Sequence, residues 1–314
     1  MKEKMPMIVK YILEIILLIF ISFIYYLSQP VKTPKVLYIP KGSINQIITQ
    51  LEKKNYDVCK LDALILRFIG SPQSGWINMG TKVNTRADFL YKLTRAKAAM
   101  RSITLIPGET TYVFLNQLAE NLHLNREKLQ KAFDKYAPLK EGVLVPNTYK
   151  IPLGISEEEL IKLLLNTSMK KMKAISYKLF GTYNEKKWFR YVTIASIIQK
   201  ESANNKEMPL VSSVVYNRLQ RGMKLQMDGS LNYGKYSHQK VTHKRIVEDK
   251  SSYNTYLHTG IPNTPVCNVS QEALMAAIFP AKTKYLYFMR SKKGTHDFAC
   301  NYSTHLRNIK RATK

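Results

Sequence analysis

The alternation of apolar and polar positions divides the chain before any residue chemistry is considered. From Tyr11 to Leu27 it is apolar except at Glu14 and Ser22, and Ile8 and Val9 extend the run across Lys10. That length suits a tilted membrane-spanning helix. Lys2, Lys4 and Lys10 precede it and favour a cytoplasmic N-terminus, while Lys32 and Lys35 behind it weaken the bias. Ser28-Gln29-Pro30 lacks a small-x-small cleavage pattern, so the segment reads as an uncleaved anchor. The polar stretch from Gln29 to Lys35 separates it from any following core.

Beyond the anchor, short strands alternate with capped helices. Val36 to Ile39 predicts a strand, followed by the turn Pro40-Lys41-Gly42-Ser43 and a helix with Ile44, Ile47, Ile48 and Leu51 on one face. The pattern returns at Trp76 to Met79 with Thr85 as cap, and at Ile103 to Ile106 with the turn Pro107-Gly108-Glu109-Thr110. It returns again at Tyr149 to Ile151, where Ser156 and Glu159 form a capping-box pattern. Four such units imply an α+β class. Strand–helix units of this kind loosely resemble LysM carbohydrate-binding modules, and a plain scaffold is the competing reading.

Trp188, Tyr191, Val192, Ala195 and Ile198 predict a further helix. Ile194, Ile197 and Ile198 precede Glu201 by seven, four and three residues and share its face. A carboxyl group among apolar neighbours is pushed towards its neutral form, as general-acid cleavage of a glycosidic bond requires. A helix-end glutamate that is solvated or ion-paired is the simpler alternative. After a polar loop, Pro209 opens a helix with Leu210, Val211, Val214, Val215 and Leu219, and Gly222 ends it. The stretch Met223 to Gly234, with Asp228, predicts a loop or hairpin beside a cleft.

Composition narrows the partners. Among 314 residues, 49 Lys and Arg face 22 Asp and Glu, a net charge of +27, while 45% of residues are apolar. The chain is long enough for about two domains, and its charge suits an anionic partner: nucleic acid, acidic lipid or a wall polymer. An anchor that places the body outside the cytoplasm argues against nucleic acid. Cys59, Cys267 and Cys300 have no metal-site spacing, and the six histidines form no HExxH pattern, so no metal is expected.

The order of motifs resembles the endolytic murein transglycosylases, the YceG-like family. The resemblance rests on Ala195–Ser202 and on Pro209–Asp228. It continues through Tyr253–Tyr256, Gly260–Pro262, Pro280–Thr283, Tyr285–Phe288, Gly294–Phe298 and His305, with Pro146–Tyr149 upstream. It covers almost the whole chain. Departures are Gln199 where many relatives carry Glu, Gly229 in place of Pro, Asn263 after Ile261-Pro262 where the family has Leu-Pro-Pro, and Leu306 where Asn is common.

The resemblance implies a single-pass protein of the bacterial inner membrane, with its N-terminus cytoplasmic and its catalytic domain facing the wall. It implies cleavage within peptidoglycan glycan strands between MurNAc and GlcNAc, leaving 1,6-anhydroMurNAc ends, without a cofactor. It maps the catalytic glutamate onto Glu201. Substrate contacts are expected from Arg218, Gln226, Asp228, Asn254 and His296, since amides and charged groups suit sugar hydroxyls and acetamido groups. Peptidoglycan synthases are the expected protein partners. A hydrolytic muramidase and a non-catalytic wall-binding scaffold are the alternatives. The expected layout is a tail at 1–10, an anchor at 11–28, a LysM-like module at 29–165, a helix extension and linker at 166–187, and a catalytic domain at 188–314.

Overall fold

The computed structural model describes residues 6–313; the expected tail residues Lys2 and Lys4 lie outside them. Two compact units emerge: residues 1–101 with 150–156, and residues 102–149 with 157–314. Residues 102–149 and 157–165, grouped above with the first module, thus pack with the C-terminal part of the chain.

The first unit opens with α1 (Met7–Ser28), none of whose residues is buried. Its apolar composition and length pass the criteria for crossing a membrane. Glu14 lies one turn from Lys10, Nζ to Oε1 3.9 Å. Then follow β1 (Pro30–Lys32), β2 (Val36–Ile39), α2 (Ile44–Lys53), α3 (Lys60–Ile69), β3 (Gly75–Asn78), β4 (Val83–Thr85) and α4 (Arg86–Arg95). The expected cap at Ser43 forms: its hydroxyl accepts from Gln46 N–H while the Gln46 side chain accepts from Ser43 N–H. Thr85 likewise accepts from Asp88 N–H.

β2 and β3 pair antiparallel, Val36 opposite Asn78 and Ile39 opposite Gly75. Two helices therefore separate the paired strands, where the repeated pattern predicted one. α3 escaped the pattern because it is apolar on two faces. β1 pairs antiparallel with β4. Val31, Leu37, Ile39, Ile47, Leu51, Leu66, Ile77 and Phe89 share the core.

One charged group sits within this unit at no exposure, Asp62 in α3. Arg86 Nη1 donates to its Oδ2 at 2.7 Å, and Nη2 reaches Asp57 at 3.0 Å. The Tyr26 hydroxyl, in the last turn of α1, donates to Asp62 Oδ1 at 2.9 Å, and the Arg86 guanidinium lies 4.5 Å over the Tyr26 ring. The last turn of α1 is thereby bonded to α3 and α4.

The second unit takes in β5 (Met100–Leu105) from Ser102, α5 (Thr111–Leu122), α6 (Arg126–Tyr136) and β6 (Asn147–Pro152) up to Tyr149. α7 (Glu157–Phe180), α8 (Glu185–Glu201), α9 (Met208–Gln220), α10 (His243–Glu248), α11 (Gln271–Ile278), β7 (Tyr287–Arg290), β8 (His296–Ala299) and α12 (Tyr302–Thr313) complete it. β5 pairs with β6, and β7 pairs antiparallel with β8. Residues 166–187 continue α7 to Phe180 and then turn into α8.

α8 is the centre of this unit. Every residue from Val192 to Ile198 is buried, so the helix is enclosed on all sides, beyond the single stripe predicted. It packs between α9 and α11. Its polar residues are satisfied internally: Thr193 Oγ1 donates to Phe189 O, and Ser196 Oγ donates to Thr193 O and accepts from Val266 N–H.

Replacing Arg86 with Met strands the buried Asp62 carboxylate. We expect a loss of about 3–5 kcal/mol in urea unfolding of the full-length protein in detergent. The double change Arg86→Met with Asp62→Leu recovers most of that loss, because no charge is then left unpaired.

Candidate active site

α8 ends at Glu201, with Ser202 as its C-cap. The enclosed helix fixes the backbone of Glu201, so its side chain emerges at a set point from the densest part of the unit. The carboxyl is half-buried. Its Oε1 accepts the Gly229 N–H at 2.6 Å. Gly229 is the second residue of a short 3₁₀ turn, Asp228–Leu231, that follows α9. A side chain at 229 does not fit: a Cβ there would lie 2.6 Å from Lys200 Cβ and 2.8 Å from Glu201 Oε1.

Burial is the largest influence on Glu201 and drives its pKa up to about 7. The Gly229 N–H pulls it down, the Asp228 charge pushes it further up, and the Arg218 charge pulls it down. A carboxyl group poised near neutrality can exist as acid or base at working pH. Burial as the main cause agrees with the expectation drawn from its helix face.

The expected neighbours take different positions. Asp228 is exposed beside the carboxyl and accepts the Tyr256 hydroxyl at 2.6 Å. Gln226 is exposed, with its backbone in the left-handed region at φ 48° and its N–H bonded to Thr255 O. Both side chains face solvent, and Asp228 is the one whose charge acts on Glu201.

Arg218, Asn254 and His296, expected as sugar ligands, each hydrogen-bond the protein. Arg218 Nε donates to Leu286 O and Nη1 to Leu225 O, each at 2.6 Å. Asn254 is fully buried, its Nδ2 donating to Ile246 O and Asp249 O while its Oδ1 accepts Tyr256 N–H. His296 lies against Glu207, whose Oε1 accepts the His296 N–H and whose Oε2 meets Nδ1, both at 2.8 Å. Burial would raise the Glu207 pKa, but the His296 N–H and ring, donating to its two oxygens, together with the His296 charge, bring it below the usual value. These three residues brace the strands and loops around Glu201.

A second set of acids lies behind the site. Glu109 accepts Thr110 N–H at 2.9 Å, Ser237 Oγ at 2.9 Å and faces His238 Nε2 at 2.8 Å. Lys200, next to Glu201 in the chain, donates to Ser237 Oγ at 3.0 Å. Thr110 Oγ1 donates to Gly234 O. The segment that carries Gly229 is therefore tied at its far end to the turn before α5. Glu141 accepts from Thr111 N–H, Thr111 Oγ1 and Gly142 N–H. Burial nevertheless carries its pKa up to about 7.

Sequence reasoning passed over Glu109, Glu141, Glu207, Lys200 and Tyr256 as site residues. The available signal was scarcity: with 22 acids among 314 residues, an acid inside a turn or motif is informative. Their pairings, from 28 residues apart for Tyr256 with Asp228 to 129 for Glu109 with His238, were not readable. Among the described residues no group of three or more His, Cys, Asp or Glu side chains is placed to hold a metal ion. A cavity of about 570 Å³ lies at the opposite end of α8, lined in part by Asn184, Phe189, Arg190 and Pro262.

The geometry can be set beside known proteins. The chain is 27% identical over 322 residues to an endolytic murein transglycosylase of Bacillus subtilis (strain 168), covering 90% of this chain and 88% of that protein. It is 32% identical over 179 residues to an endolytic murein transglycosylase of Streptococcus pneumoniae (strain ATCC BAA-255 / R6), covering 54% of this chain and 31% of that protein. A crystal structure of a YceG-like protein from Listeria monocytogenes superposes with a TM-score of 0.55 at 24% identity, covering 88% of this chain and 99% of that one. That likeness is one of fold. With the YceG-like family matched over residues 37–311, the chain belongs to that family.

Proposed function

We propose that this chain is a membrane-anchored endolytic transglycosylase that cuts peptidoglycan glycan strands between MurNAc and GlcNAc, with Glu201 as the catalytic residue. The observation that carries the reading is the Glu201 carboxyl, desolvated at the end of an enclosed helix and held by the Gly229 N–H. The names of the relatives support the reaction class.

In the proposed reaction, Glu201 gives its proton to the glycosidic oxygen as the bond to the anomeric carbon breaks. The carboxylate then takes the proton of the sugar's own 6-hydroxyl as that oxygen bonds the anomeric carbon. The product ends in 1,6-anhydroMurNAc, and Glu201 is returned to its acid form. An intramolecular nucleophile gains from proximity and removes the need for the second, water-directing carboxylate of an inverting glycosidase. Asp228 sets the local charge, and it and Gln226 are exposed and free to meet substrate.

A hydrolytic reading keeps one observation in its favour: Asp228 lies beside Glu201 and can orient a water. Its products would carry reducing ends.

In the proposed setting α1 crosses the inner membrane with the N-terminus cytoplasmic and the body facing the wall. The β2-α2-α3-β3 arrangement supports a LysM-like glycan-binding role for the first unit. Ending nascent strands beside peptidoglycan synthases is the biological role we infer.

Digestion of purified glycan strands, read by mass spectrometry, tests the reaction. Wild type gives anhydro ends. Glu201→Gln loses cleavage by roughly 10²–10⁴-fold or more while still binding strands. The alternatives are excluded only by that pair of results; equal cleavage by both proteins would sink the assignment of Glu201.

The pH profile follows from the sign of the shift. The acid form does the first step, so cleavage declines as pH rises through about 7. Asp228→Asn removes a charge that raises the Glu201 pKa, so the declining limb moves to lower pH. A limb that stays in place would show that Asp228 does not act on Glu201.

Gly229→Ala forces the 3₁₀ turn away from Lys200 and Glu201. We expect at least a tenfold fall in kcat, on the order of 1.4 kcal/mol or more, with little change in strand affinity. An unchanged kcat would show that the Gly229 contact is dispensable.

A further inference from the structure

α3 buries one apolar face and exposes another. Ala63 and Leu66 face the core with Asp62. Leu61, Leu64 and Phe68 recur at spacings of three and four, which places them on one outward stripe. They are 40%, 46% and 84% exposed. Single exposed apolar residues are ordinary on a protein surface, but three in helical register form a face.

The position of this face is fixed by hydrogen bonds. The Tyr26 hydroxyl, in the last turn of α1, bonds Asp62 Oδ1 at 2.9 Å and lies 3.2 Å from Cys59 Sγ, the N-cap residue of α3. Leu61, where the stripe begins, lies between those two residues in the chain. α1 has 22 residues, a rise of about 33 Å against a hydrocarbon core of about 30 Å. Its C-terminal Tyr25 and Tyr26 then fall at the boundary where tyrosine rings sit. The stripe on α3 therefore starts at the level of the headgroups.

The charges around it match an acidic bilayer surface. Lys60 and Arg67 flank the stripe on α3, and Lys53 and Lys54 end α2; Glu52 stands against them. Asp57 and Asp62 are paired with Arg86. An apolar face with basic flanks is the pattern of a helix lying in the membrane interface. A ten-residue helix holds a membrane weakly by itself, but tethering by α1 makes its contact intramolecular and raises its effective concentration.

We propose that the Leu61/Leu64/Phe68 face of α3 rests on the bilayer that α1 crosses, with Lys60 and Arg67 on anionic headgroups. The proposal rests on the anchor reading of α1. It gives the first unit a second point of support on the membrane, beside the Tyr26 bonds that tie α1 to α3 and α4. Continuity with α1 and the basic flanks favour lipid over a second protein as the occupant.

The test uses full-length protein in nanodiscs containing anionic lipid. Cys59→Ser and Cys300→Ser remove the two exposed thiols and leave the buried Cys267. Ile16→Cys, Leu64→Cys or Phe68→Cys is then added singly and labelled with a fluorophore. Quenching by brominated lipid reports contact with the bilayer.

Labels at 64 and 68 are expected to be quenched at least about half as strongly as the label at 16, consistent with burial of about 5–10 Å. Quenching at 16 with none at 64 and 68 overturns the proposal and leaves the anchor intact. No quenching at 16 overturns the anchor reading and this proposal with it. Shielding of 64 and 68 from aqueous iodide without bromine quenching means a protein covers the face, which also overturns it. The paired change Lys60→Glu with Arg67→Glu is expected to lower quenching at 64 and 68 by about twofold or more; an unchanged signal removes the anionic headgroups from the proposal.

Discussion

The Gly229 N–H reaches Glu201 Oε1 at 2.6 Å, and much of the second unit is arranged so that this contact exists. Burial destabilises the carboxylate, and one backbone dipole with the Arg218 charge restores part of that loss. The balance leaves the group near neutrality. A further donor on the carboxylate would move the balance towards the anion. With no donor, it would be held more firmly as the acid. The contact also explains why residue 229 carries no side chain, since Lys200 and Glu201 occupy the space a Cβ would take.

Holding one backbone amide in place needs a rigid surround. Thr255 Oγ1 accepts Met227 N–H and the Thr255 carbonyl accepts Gln226 N–H, which pins the strand of chain just before Gly229. Lys200, Ser237, Glu109 and His238 pin the chain just after it. A buried polar network whose members are all bonded is stiff and allows few alternative packings. Arg218, Asn254 and His296 belong to the same class of support, joining α9, the loops and the β7–β8 ribbon.

The first unit repeats the logic with a different buried acid. Asp62 is fully enclosed and stays tolerable because Arg86 and Tyr26 both reach it. That cluster binds the end of a membrane-length helix to the folded body. In both units a costly buried carboxyl marks the place where the fold is least free to vary.

Much of this was legible in the sequence. The long apolar N-terminal helix, the β2 strand, the caps at Ser43 and Thr85, the Pro209 helix start and the apolar helix that carries Glu201 all follow from local pattern, because periodicity and capping act over a few residues. α3 was not legible, since apolar residues on two faces blur a 3.6-residue period. The separate roles of Asp228 and Asn254 were not legible either. Both are polar loop residues, yet one faces solvent and the other spends its amide on Ile246 and Asp249. The sequence by itself determined several of the elements, that the chain is basic, and that Glu201 sits on an apolar helix. Only the tertiary structure decided that Gly229 meets Glu201, that Glu109 meets His238 and that Arg86 meets Asp62. Those pairings depend on where distant segments pack, and side-chain solvation is set by that packing instead of by neighbours in the chain.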